Sequence, residues 1–180
     1  RRPRLVIVSP PCTMYSALQR MWNLKKMGPE TVRRRFQEAD TLLGFAMQVC
    51  RIQQKAGRMF LHEHPSQATS WSRPAVEAVA QLPGVAKARF DQCRYGLATP
   101  ISRRPMRKGT TFLTNSLAVH HEFDSKRCQC NAEHARIQGS EHGIALAGHA
   151  ALYPSDLCKA VARTLMPPPT VDLTASPASP

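Results

Sequence analysis

Cys12 is the residue whose setting first suggests chemistry. It closes the stretch Leu5-Val6-Ile7-Val8-Ser9-Pro10-Pro11-Cys12, in which four apolar, mostly β-branched residues run into two prolines. The apolar run reads as a buried parallel strand. Neither proline can donate to a ladder, so the chain must leave the sheet in a stiff, extended loop. A thiol just past the carboxyl end of such a strand stands where open α/β sheets place their ligands. There it can act as a nucleophile, or simply fill space as a small apolar side chain.

Met59-Phe60-Leu61-His62-Glu63-His64-Pro65 repeats that grammar: a short apolar strand over Met59 to Leu61, polar residues, then proline. With a helix between them, the two runs form a right-handed βαβ unit whose strand ends, bearing Cys12 and Glu63, open on the same edge of the sheet. A glutamate at such an edge can donate a proton or anchor a hydrogen bond if its pKa is raised; otherwise it is a solvated loop carboxylate.

A third group is Cys128, Cys130 and His134, which supply three zinc-type ligands. The fourth ligand is open among Cys93, His142, His149 or none, and without metal the segment is a loop with two free thiols. Arg94, Arg103, Arg104, Arg107 and Lys108 lie between the strands expected at Ala88–Phe90 and Thr110–Asn115. Clustered there, they can hold phosphates or form a solvated basic loop.

The elements that must position these residues alternate as in an α/β fold. Ser16 to Met27 reads as a helix ended by Gly28-Pro29, and Thr31 as a cap for the next. From Glu38 to Lys55, Ala39, Leu42, Leu43, Ala46, Val49 and Cys50 recur at helical steps, and Gly57 ends that helix. Pro74 opens a short helix over Ala75 to Leu82. Ser155 caps another through Leu165, with Leu157, Val161 and Leu165 on one face. Cys50 and Cys158 read as core. Met166 to Pro169 ends the fold, and the Pro-, Ser- and Ala-rich tail from 167 to 180 reads as a linker or disordered segment.

Twenty-five Lys and Arg against twelve Asp and Glu give a net charge of +13, which favours a polyanionic partner, most simply nucleic acid. No apolar run is long enough to span a bilayer. Six cysteines with no apolar leader ahead of them point to a reducing, intracellular compartment with free or metal-bound thiols. The start, Arg1-Arg2-Pro3-Arg4, has no Met and reads as excised from something longer.

Together these residues resemble the DNA cytosine-5 methyltransferases, and in particular the divergent methyltransferase-like domains of retrotransposon polyproteins. Val6 to Cys12 with Tyr15-Ser16 is similar to that family's strand and Pro-Cys loop. Phe60 to Pro65 is similar to its Glu-Asn-Val segment, with His64-Pro65 in place of Asn-Val. Gln92 with Arg94, or Arg103 with Arg104, matches its Gln-x-Arg-x-Arg segment. His134 to Gly139 and the helix after Tyr153-Pro154 match its closing motifs.

The resemblance implies a partial Rossmann-like sheet with flanking helices over 1–166, a DNA partner and a nuclear location. It makes Cys12 the nucleophile at cytosine C6, held on a substrate loop with Pro10, Pro11 and Ser16. Glu63 becomes the group gripping the base at N3, the arginines fix the flipped nucleotide, and S-adenosylmethionine is the methyl donor. The family's glycine-rich donor loop has no counterpart after any strand here, and the stretch from Asn115 to His134 is short for a target-recognition region. Two other readings remain: a nucleic-acid-binding module without catalysis, and a small zinc-stabilised interaction domain.

Overall fold

The computed structural model describes residues 2–16 and 24–165. In chain order the elements are β1 (Leu5–Val8), α1 (Pro29–Lys55), β2 (Met59–Pro65), α2 (Pro74–Ala80), β3 (Ala86–Asp91), β4 (Gly109–Thr114), α3 (Leu117–Phe123), β5 (Ser140–Glu141), β6 (Ile144–Ala145), α4 (Leu146–His149) and α5 (Ser155–Leu165). The expected tail at 167–180 lies outside the described residues, as does most of the expected Ser16–Met27 helix. The described ends of that stretch are two 3-10 turns, Thr13–Tyr15 closed by Ser16, and Leu24–Lys26.

The long helix begins earlier than its apolar period suggested. Gly28 is extended at the N-cap and Pro29 occupies the first turn, where a missing N–H leaves nothing unpaired. Thr31 is therefore inside the helix and does not cap it. The start was hidden because Arg33, Arg34 and Arg35 interrupt the apolar face. Gly57 ends the helix as expected, with φ of +63° just past the C-cap Ala56.

The main sheet has the order β1-β2-β4-β3. β1 and β2 are parallel, with Leu5 opposite Met59 and Val8 opposite His62. β4 runs antiparallel to both β2 and β3, so the sheet is mixed. β1 is an edge strand, not the buried strand its composition suggested, and Ile7 is 51% exposed. Four apolar residues fit an edge as well as a centre, so the local pattern could not distinguish them. β2 continues past Leu61 through His62, Glu63 and His64, all buried; Glu63 is thus on the strand itself and not on a loop beyond it.

Alternation along β2 assigns its side chains to two layers. Phe60 joins Leu113, Leu43, Met47 and Cys50 under α1, with Val76 and Val79 of α2. Leu61 faces the other way, joining Ala88, Phe90, Phe112, Phe123 of α3 and Leu157 of α5. The Phe90, Phe112 and Phe123 rings stand with centroids 4.7 to 5.1 Å apart in edge and tilted contacts. Each such buried ring contributes about 2–3 kcal/mol. Cys50 is core as expected. Cys158 is exposed, because α5 buries Leu157, Ala160 and Leu165 and position 158 falls off that face. Among the described residues no helix is long and apolar enough to cross a membrane.

Candidate functional site

The Cys12 loop is pinned from both sides. Cys12 opens the 3-10 turn, its carbonyl accepting from the Tyr15 amide at 3.0 Å. The Tyr15 ring is fully buried, and its hydroxyl donates to Asp40 Oδ1 at 2.7 Å, with Arg73 pairing to the same oxygen at 3.0 Å. On the other side, the period of β2 turns His62 and His64 toward the α1 layer. His62 Nδ1 bonds the Val8 carbonyl at 3.2 Å, and His64 Nε2 the Pro10 carbonyl at 2.8 Å. The stiffness that the prolines impose on the backbone is thus matched by side-chain anchors.

Glu63 points to the opposite layer, where α5 packs, and the residue leading into α5 meets it. The Tyr153 hydroxyl lies 3.4 Å from Ser9 Oγ and near enough to Glu63 to favour its carboxylate. Glu63 is only 7% exposed, and its Oε1 has no hydrogen-bond partner among the described residues. Burial pushes its pKa above the usual carboxylate range, against the opposing pull of Lys108 and of the Tyr153 hydrogen bond. Lys108 itself donates to the Ala150 carbonyl at 3.0 Å, with Nζ 6.0 Å from the centroid of the Tyr153 ring.

Cys12 lies within electrostatic reach of this group. Burial and the Glu63 charge raise its pKa, while Lys108 lowers it. Sulfur and carboxylate are therefore close enough to influence each other's charge. Their charges compete: a proton on Glu63 removes the like charge beside the thiolate, and Lys108 is the cation that favours that thiolate. A neutral, inward-facing carboxyl can donate a hydrogen bond from a position where a carboxylate can only accept.

The substrate-loop residues divide. Pro10 is held by His64, Pro11 is exposed, and the Ser16 amide closes the 3-10 turn on the Thr13 carbonyl at 3.3 Å. The basic residues also have separate settings. Arg94 bonds Gln129, Arg104 lies 3.7 Å from Glu133, and Arg107 pairs with the buried Asp91 at 3.4 Å. Arg103, in the left-handed region at φ 56°, borders an open cleft with Tyr153 and His149. Lys108, expected as a phosphate contact, also acts electrostatically on the thiol and carboxylate.

Tyr153 and Ser9 are functional candidates that sequence reasoning did not assign to the site. Tyr153 lies 144 residues from Ser9, and nothing local marks it except the proline that follows.

A separate cluster gathers Cys93, Cys128, Cys130 and His134, whose ligand atoms all lie within 4.8 Å of one another. Cys93 comes from the turn after β3. His142 sits instead in the β5–β6 turn, and His149 Nε2 bonds the Ala98 carbonyl at 3.0 Å. Burial and the two neighbouring thiols push Cys93 up to about 12, whereas the Cys130 amide holds Cys128 below the usual thiol range. This donor set is suited to a metal ion such as zinc.

Comparison with family models, with curated proteins and with solved structures finds no match to this chain.

Proposed function

We propose that this chain is a cytosine-5 methyltransferase-like, Rossmann-type unit that binds DNA and places Cys12 and Glu63 on either side of a flipped-out cytosine. The observation that carries this reading is the buried Glu63 with one unpartnered oxygen, within electrostatic reach of the Cys12 thiol and of Lys108. The net charge of +13 supports a polyanionic partner.

The chemistry is an addition. The Cys12 thiolate forms an S–C6 bond, and the C5–C6 π pair moves into the ring as Glu63 gives its proton to N3. Carbon 5 then becomes nucleophilic, and without an electrophile it takes a proton from water; reversal returns the thiolate and releases the original C5 hydrogen. The base must leave the duplex to reach these groups.

S-adenosylmethionine would supply a methyl group to C5, but the described residues do not fit it. Both parallel strands run into prolines (Pro10 and Pro11 after β1, Pro65 closing β2), where a cofactor would need glycines and free amides. No methyl-transfer step is assigned to this chain. That misfit also favours a second reading, a module that binds nucleic acid without chemistry.

The test uses a cytosine-containing oligonucleotide tritiated at C5, incubated with the chain and no methyl donor. Tritium release that disappears in Cys12→Ser supports the addition. Tight DNA binding without release rejects it and leaves the binding module.

A further inference from the structure

We propose that Cys93, Cys128, Cys130 and His134 bind one zinc ion in a closed structural Cys3His site, and that this ion fastens the chain between α3 and β5 to the end of β3. The inference is independent of the proposed chemistry at Cys12.

The first ground is the poverty of that segment. From Asp124 to Ala145 no residue is buried, and from Ser125 to Gly139 there is no helix or strand. A connection of this length without a core of its own is uncommon in a compact fold and requires another anchor. Its middle is held mainly by polar contacts: the Asp91 amide donates to the Lys126 carbonyl at 3.0 Å, the Cys128 amide to the buried Asp91 Oδ2 at 2.9 Å, the Ala135 amide to the Pro105 carbonyl at 2.9 Å, and Gln129 accepts from Arg94, while Ala135 and Ile137 are only partly buried against Leu97 and Met106.

The second ground is the geometry. Cys128 Sγ and His134 Nε2 are 3.2 Å apart, and no pair of ligand atoms exceeds 4.8 Å. Tetrahedral zinc, with Zn–S of about 2.3 Å and Zn–N of about 2.0 Å, holds such atoms about 3.5–3.8 Å apart. The four atoms therefore bracket the required spacing, and side-chain rotation closes the remainder. Three soft thiolates with one imidazole select zinc over hard cations, and four protein ligands leave no open position for catalysis.

The third ground is the surroundings. The Cys130 amide points at Cys128 Sγ at 3.3 Å, a hydrogen bond that stabilises a metal-bound thiolate. Metal binding releases the thiol protons to solvent, so the ion replaces the repulsion among three clustered sulfurs with coordination.

The test is zinc content and cobalt substitution of the full chain purified without chelators. One zinc per chain is expected, with a thiolate-to-cobalt charge-transfer absorption and tetrahedral d–d bands in the cobalt form. Metal affinity should fall roughly tenfold or more in Cys130→Ser and His134→Ala, and stay unchanged in His142→Ala and His149→Ala. Chelation should expose bonds between residues 124 and 139 to protease while the sheet stays protected. A natively folded chain that takes up no zinc and shows no charge-transfer band overturns the proposal, as does a cobalt spectrum unaltered in Cys130→Ser. Should the variants fail to fold, the cobalt spectrum of the unaltered chain still decides.

Discussion

His64 Nε2 donates to the Pro10 carbonyl at 2.8 Å, so a side chain of β2 holds the loop two residues ahead of Cys12. A carbonyl can only accept, which places the imidazole proton on Nε2. Nδ1 is then the acceptor, receiving the Ser70 hydroxyl at 2.6 Å. An asparagine side chain at position 64 can also offer an N–H. His64→Ala should strand the Pro10 carbonyl and cost about 1–3 kcal/mol of stability, read by urea denaturation. Tritium release should fall with it, and His64→Asn should restore more of both than alanine does. Equal loss in the two variants would remove the hydrogen bond as the cause.

Acid should destabilise the fold through the same layer. Burial holds His62 down to about 3 and lowers His64 from the ordinary histidine value of 6.5. The unfolded chain therefore binds more protons, and stability present above pH 6.5 is lost as the pH falls toward the folded values. The slope approaches about 1.4 kcal/mol per pH unit for each histidine. Glu63 acts oppositely: its raised pKa gives stability present below 4.5 and lost as the pH rises. Urea midpoints of Glu63→Gln between pH 7 and 5 isolate the histidines. A midpoint that does not drop across that interval contradicts their buried, neutral state.

Glu63→Gln should separate stability from activity. Above the raised pKa the native side chain is a buried, half-partnered carboxylate, and the amide removes that charge at nearly constant shape. The variant should gain stability relative to the parent as the pH rises and the native carboxyl ionises, while tritium release falls by about a hundredfold or more at the parent's optimum because no proton reaches N3. A variant that is both less stable and fully active would refute the assignment.

Tyr153→Phe removes the hydroxyl that draws the Glu63 pKa down. The hydroxyl favours the carboxylate, so its loss should raise the Glu63 pKa further and shift the alkaline limb of the exchange profile to higher pH. The fold should lose about 1 kcal/mol toward alkaline pH, as Glu63 ionises and the carboxylate needs the hydroxyl most. An unshifted limb would show that Tyr153 only packs against the site.

The sequence by itself determined the local devices. The Pro-Pro-Cys exit from β1, the helix joining β1 to β2, the terminating Gly57, the basic charge and three of the four metal-type ligands follow from short-range rules of period, proline geometry and side-chain chemistry. Only the tertiary structure decided that β1 lies at an edge, that the sheet is mixed, and that Glu63 sits within β2 and not beyond it. It also selected Cys93 over His142 and His149, and brought Tyr153 and Lys108 within electrostatic reach of the thiol. Each of these depends on which face of the sheet a distant element covers. Alternation sends Glu63 toward α5, and α5 packs there because Leu157, Ala160 and Leu165 complete the Phe90–Phe112–Phe123 core. That choice is made by shape and burial across the whole domain, and no window of neighbouring residues contains it.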